Sequence, residues 1–94
     1  MAVISADAPP AVYDVIPTIG EVLLDPPSWM PDAVVLVDCA DPKRAGRIGE
    51  LIDALPSATP RILIDHHVSN ESEWPLAWID ASAAATCEMV SLIA

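Results

Sequence analysis

Arg61-Ile62-Leu63-Ile64-Asp65-His66-His67-Val68-Ser69-Asn70 is an apolar run that stops abruptly at an acid and two imidazoles. Pro60 bounds it on one side and polar residues on the other, and a short run of this kind reads as a strand buried on both faces. Asp65, His66 and His67 then stand at the strand's carboxyl end. In open α/β sheets the loops leaving that edge diverge around a crevice, and ligands bind there. A second such run, the valine-rich Ala33-Val34-Val35-Leu36-Val37, ends at Asp38. Two strands therefore deliver acids to the same kind of edge.

Between them, Asp41-Pro42 suits an N-cap followed by proline at the first helical position. Ile48, Leu51, Ile52 and Leu55 recur at i, i+3, i+4 and i+7, the stripe of an amphipathic helix that ends near Leu55-Pro56. Strand, helix and strand make a βαβ unit with a parallel sheet. Asp38 and Asp65 are then about 5 Å apart if the strands are immediate neighbours and about 10 Å apart if one strand intervenes.

Further out the pattern is weaker. Ala2 to Ser5 reads as a short strand, Ala11 to Ile16 as a short helix opened by Pro10 and closed by Pro17, and Gly20 to Leu24 as another strand. Asp25 to Pro31 is a proline-rich connection whose Trp29 and Met30 are expected to pack it onto the sheet. After Asn70 a polar loop leads to a strand at Ala77-Trp78-Ile79. Asp80 or Ser82 then caps a final helix, Ala83 to Ala94, with Cys87, Val90 and Ala94 along one side.

The chain is 53% apolar with a mean hydropathy of +0.44. A chain of this size buries only about 60–65% of its extended surface, so the core is expected to be thin and to rely on further protein around it. No apolar run approaches the roughly 20 residues that span a bilayer, and no signal peptide is evident, so a soluble, cytoplasmic protein is expected. Cys39 and Cys87 read as free buried thiols. Lys43, Arg44, Arg47 and Arg61 oppose 14 carboxylates, for a net charge of −10. That balance argues against binding long duplex nucleic acid, which needs a basic stripe to displace counterions. An anionic substrate is still compatible if bound cations supply the positive charge.

Asp38, Asp65, His66 and His67 combine hard oxygen ligands with imidazole, which suits Mn²⁺ or Mg²⁺, with zinc remaining open. Strand alternation points Asp65 and His67 one way and His66 the other, so one imidazole can bind metal while its neighbour serves substrate or orients a ligand. Lys43, Arg44 and Arg47 follow Asp38 at the start of the expected helix and form a candidate anion site, unless Arg44 pairs with a surface carboxylate. Ser69 and Asn70 can orient His67, hold a phosphate oxygen or simply make a turn. The bland alternative makes Asp65 a turn cap and the histidines half-exposed loop residues. The second acid-terminated strand weighs against it. A two-metal phosphoryl-transfer site needs more ligands than these four groups, so the chain by itself reads as catalytically incomplete.

Leu36-Val37-Asp38, the segment containing Arg44, Arg47 and Gly49, the run Ile62 to Asn70, and the run Trp78 to Met89 together resemble the DHH phosphoesterases. The likeness is to the branch of oligoribonucleases, phosphoadenosine-phosphate phosphatases and cyclic-dinucleotide phosphodiesterases. The resemblance implies a partial doubly wound, mainly parallel α/β sheet with flanking helices over residues 1–94. It also implies a manganese-dependent hydrolase of short oligoribonucleotides or small nucleotides with two ions in the complete site, Mg²⁺ being an alternative, and a homodimeric full-length protein. Asp38 then matches a metal-bridging carboxylate and His66 a metal ligand. His67 matches the second histidine near the scissile phosphate, and Asp65 an orienting acid. Arg44, Ser69 and Asn70 are the expected substrate contacts. The family's first ligand-bearing segment, a later metal-binding aspartate and the substrate-binding domain have no counterpart here, so the sequence is expected to be an internal fragment that binds Mn²⁺ weakly and hydrolyses nothing alone. A manganese inorganic pyrophosphatase shares the Asp-His-His run, and a non-catalytic α/β binding module is the reading from a different class.

Overall fold

The computed structural model describes all 94 residues. A three-stranded parallel sheet, ordered β1-β2-β3, consists of β1 Val34–Val37, β2 Arg61–Asp65 and β3 Leu76–Ile79. With flanking helices this is the expected partial α/β architecture. Val37 pairs with Ile64 and Asp65 with Ile79, so the strands end in step. The ladder runs one residue further on both sides, as the Asp38 N–H donates to the Ile64 carbonyl and the Asp80 N–H to the Asp65 carbonyl, each at 3.0 Å.

Only the middle strand is buried on both faces. In β2, Leu63, Ile64 and Asp65 are buried, whereas β1 alternates and leaves Val35 and Val37 exposed, and β3 is exposed along its length. The expected two-sided burial thus holds for β2, whereas β1 is half-buried on the face of Val34 and Leu36 and open on the face of Val35 and Val37.

The crossover differs from a single helix. Asp41 does cap its start, accepting from the Lys43 N–H at 2.9 Å, with Pro42 in the first position, but the chain there winds only into a 3-10 turn, Pro42–Ala45. Gly46, at φ 54, then breaks the run, and α1 spans Arg47–Asp53. Glycine takes this positive φ without the clash a Cβ would bring. The break lays α1 against the preceding turn, where a Cβ on Gly49 would stand 2.7 Å from the Pro42 carbonyl oxygen. The apolar stripe behaves as its spacing predicts: Ile52 is buried and Ile48, Leu51 and Leu55 are half-buried. At the far end the Arg61 guanidinium donates to the carbonyls of Ile52 and Leu55 at 3.2 Å and of Ser57 at 3.4 Å. The Ile52 carbonyl, which also accepts from the Leu55 N–H at 3.2 Å, belongs to the end of α1, and those of Leu55 and Ser57 to the loop that leaves it, so Arg61 ties that loop to the helix.

The first third is less regular than its sequence suggests. The two expected strands reduce to one parallel bridge, Ile4 with Leu23, and the expected helix to a 3-10 turn, Ala11–Tyr13. None of these residues reaches a buried position, and short runs between prolines have too few successive N–H groups to propagate a helix. Trp29 and Met30 are 50% and 65% exposed, not packed on the sheet. Arg47 ties this segment to α1, donating to Asp25 Oδ1 at 3.0 Å and to the Leu24 carbonyl.

The last helix, α2, is Thr86–Ile93 and begins three residues later than expected. Asp80 instead closes a turn, accepting from the Ser82 N–H at 2.9 Å and its hydroxyl at 2.6 Å. Glu88 Oε2 accepts from the Ala84 N–H at 2.8 Å, stabilising the approach to the helix. Thr86 and Met89 are the buried positions, whereas Cys87 and Val90 are exposed, so the inward face is not the one expected. Both cysteines are free, Cys39 half-buried and Cys87 exposed. No helix is long and apolar enough to cross a membrane.

The core is thin, as composition implies: 7 of 94 residues are buried. Two of the seven, Asp65 and Thr86, are polar, and both lie at the sheet's carboxyl edge.

Gly49→Ala tests the close contact between α1 and the Pro42 turn. With backbone opposing the new methyl, the variant is expected to lose about 1–3 kcal/mol of stability in urea denaturation. An unchanged urea midpoint would show that α1 does not lie against that turn.

Candidate metal centre at the carboxyl edge of the sheet

Asp38 is the first residue beyond β1 and the one non-glycine residue with positive φ, at 56°. Aspartate tolerates that region better than most residues, and single residues held there cluster at functional sites. Its side chain is 61% exposed. Oδ1 accepts from the Thr86 hydroxyl at 2.8 Å and lies 3.6 Å from His66 Nε2.

The two imidazoles are held in the same sense by different partners. His66 Nδ1 lies 3.3 Å from the Ala83 carbonyl. A carbonyl only accepts, so Nδ1 is the donor there and Nε2 is the nitrogen on the side of Asp38. His67 Nδ1 lies 2.7 Å from Asp65 Oδ1, and since the carboxylate only accepts, this ring too donates through Nδ1. Asp65 and His67 thus lie on one side, as expected, but His66 does not point away from them: the strand ends at Asp65, so its alternation no longer governs the next two residues, and the two imidazole rings lie 5.0 Å apart with a ligand atom each in one cluster. A carboxylate or carbonyl holding the far nitrogen of each ring is the usual companion of a metal-binding histidine.

Asp65 itself is fully buried. Burial is the largest single influence on its carboxyl and raises the pKa. Hydrogen bonds from Asn70, from His67 and from the His66 backbone, with the charge of the His67 ring, together outweigh burial and hold the pKa below the usual aspartate value. The group is an acceptor-only carboxylate at neutral pH.

Asn70 braces this arrangement. Its Nδ2 donates to Asp65 Oδ2 at 2.6 Å and to the Cys39 carbonyl at 3.3 Å, and its Oδ1 accepts from the Ser72 N–H at 2.9 Å. Both amide hydrogens are taken up within the fold, so the side chain links the loop after β2 to the loop after β1. Ser69 lines a neighbouring cavity of ≈ 520 Å³ with Lys43 and Trp74. Arg44 is exposed and makes no ion pair. Arg47 is committed to Asp25 and the Leu24 carbonyl, so the expected cluster of three cations is reduced to Lys43 and Arg44.

One ligand atom each from Asp38, His66 and His67 lie within 4.8 Å of one another. Two donors about 2.1 Å from one ion are about 3–4 Å apart, so small side-chain adjustments bring the three onto a single divalent cation. One carboxylate and two imidazoles fit that role chemically. A second cavity, ≈ 370 Å³, adjoins Asp38 and His66 and is bordered by Val37, Thr86, Cys87 and Val90. Sequence reasoning does not single out Thr86 or the Ala83 carbonyl as parts of the site. Both fall in the run Trp78 to Met89, but their spacing carries no hint that they touch Asp38 and His66.

The sign of the Asp65 shift sets a pH dependence. A carboxyl whose pKa is lower in the folded chain contributes stability that is present above its unfolded value and lost as pH falls through the folded one. Urea midpoints are expected to fall as pH drops below about 5, and to fall less steeply in Asp65→Asn, which starts from a lower midpoint at pH 7. Parallel profiles for the two proteins would remove Asp65 as the source.

Residues 2–94 match the sequence model described as the DHH family, N-terminal domain. That is a family of phosphoesterases, hydrolases that generally depend on divalent metals, and a carboxylate with two imidazoles at a sheet edge is consistent with such chemistry. The match spans nearly the whole chain and includes the strand-terminal Asp65-His66-His67, so this protein belongs to the DHH family.

Proposed function

We propose that this edge is part of a manganese-dependent phosphoesterase centre that hydrolyses small nucleotides, with short oligoribonucleotides, 3'-phosphoadenosine 5'-phosphate and cyclic dinucleotides as the substrate class. The observation that supports it is the convergence of Asp38, His66 and His67 on one point within 4.8 Å, each of them held by a partner.

Asp38 and His66 are the residues that would hold an ion. A divalent cation in that position supplies Lewis acidity toward phosphoryl oxygens and water. The protein's own charge favours such a cation for an anionic substrate, because the net charge is −10 and Arg47 and Arg61 are engaged with protein acceptors, which leaves Lys43 and Arg44. His67, oriented by Asp65 through Nδ1, leaves Nε2 to face the scissile phosphate or to complete the ligand set. Arg44 and Ser69 are the proposed substrate contacts, and Asn70 acts by keeping Asp65 and His67 in place. The scarcity of free cations favours small nucleotides over long duplexes, whose binding draws on many phosphate contacts. Three protein ligands suit one ion with open positions. A second ion needs further carboxylates.

The test is hydrolysis of a dinucleotide by the protein that carries residues 1–94, with pyrophosphate assayed beside it. Turnover is expected to require Mn²⁺, and Asp38→Ala or His66→Ala is expected to cost more in kcat/KM than the roughly 10–100-fold typical of losing an outer partner. Faster turnover of pyrophosphate would replace the nucleotide assignment, and unchanged turnover in Asp38→Ala would sink the metal-binding role of that residue.

A further inference from the structure

Thr86 is the first residue of α2, one position inside the cap residue Ala85, where a threonine hydroxyl ordinarily bonds within its own first turn or meets solvent. It does neither here. The residue is 5% exposed, and its hydroxyl donates across 48 positions of sequence to Asp38 Oδ1 at 2.8 Å. The helix start is supported instead by Glu88, through the Ala84 N–H.

The carboxylate it reaches needs holding. Asp38 lies at the end of an edge strand, at φ 56, with a side chain 61% exposed. Its other polar neighbour is His66 Nε2 at 3.6 Å, too far for a hydrogen bond. A solvent-exposed carboxylate rotates freely and must be immobilised when it takes up an ion, which weakens binding. One hydroxyl on Oδ1 removes that freedom in advance and leaves Oδ2 open. The two buried polar residues of this chain are then used alike: Asp65 holds His67, and Thr86 holds Asp38.

We propose that Thr86 is a positioning residue of the metal centre, whose hydroxyl presents the Asp38 carboxylate to the ion. The proposal rests on the metal-centre reading above. It makes the start of α2 a second support beside the Asn70 loop, with the Ala83 carbonyl orienting His66 and the Thr86 hydroxyl orienting Asp38.

The experiment is a titration with Mn²⁺ alone, following the paramagnetic resonance signal of the free ion, on the full chain and on Thr86→Val, Thr86→Ser and Thr86→Ala. Urea midpoints are measured on the same samples. Thr86→Val is expected to bind Mn²⁺ about 10–100-fold more weakly, the usual effect of removing a ligand's orienting partner. Thr86→Ser, which keeps the hydroxyl, is expected to stay near the unaltered protein. If Thr86→Val does not fold, the comparison of Thr86→Ser with Thr86→Ala isolates the hydroxyl. Equal affinities with and without the hydroxyl, in folded proteins, would overturn the proposal and leave Thr86 a packing residue. Absence of Mn²⁺ binding by the unaltered chain would overturn the metal-centre reading itself, and this proposal with it.

Discussion

A carboxylate buried without solvent at the end of the central strand is the constraint on which the site depends. Ionised and fully enclosed, Asp65 would cost several kcal/mol if left unpaired. Its two oxygens are met by the His67 ring and the Asn70 amide at 2.7 and 2.6 Å. Satisfying the charge therefore dictates the path of residues 66–70 and the orientation of the His67 ring. Because Asn70 also donates to the Cys39 carbonyl, the same requirement reaches the loop that carries Asp38. A single buried charge thus couples the ends of two strands.

The parallel register makes that coupling possible. β1, β2 and β3 end in step, so the chain leaves all three at one edge, and the return from β3 into α2 brings Ala83 and Thr86 over the residues that left β1 and β2. Met89, one turn further along α2, is 1% exposed and anchors the helix against the sheet. Position at the site is therefore set by apolar packing on one side of α2 and by polar contacts at its beginning.

With only seven buried residues, the structure devotes an unusual share of its interior to polar groups. Asp65 and Thr86 are satisfied, and no buried side-chain polar atom lacks a partner. A satisfied polar group contributes modestly to stability, whereas removing its partner leaves a desolvation penalty. Such a network favours one geometry over its neighbours more than it adds to overall stability. That is the property a ligand set needs.

Local sequence alone carries the parallel βαβ core, the strand ends at Asp38 and Asp65, the amphipathic stripe of α1 and the placing of Asp65 and His67 on one side. Each follows from local periodicity or from alternation within one strand, which short-range sterics and burial enforce. The length of the crossover helix is not legible in that way, because Gly46, which a helix can tolerate, here marks a turn at φ 54. The start and buried face of α2 are not legible either, since Thr86 and Met89 face inward only once the helix docks on β2. Tertiary structure alone decided that Arg47 is committed to Asp25, that Asn70 is a brace, and that Thr86 and the Ala83 carbonyl hold the two ligands. These contacts join residues many positions apart through hydrogen bonds whose partners depend on how elements dock, and no periodicity in the chain encodes that.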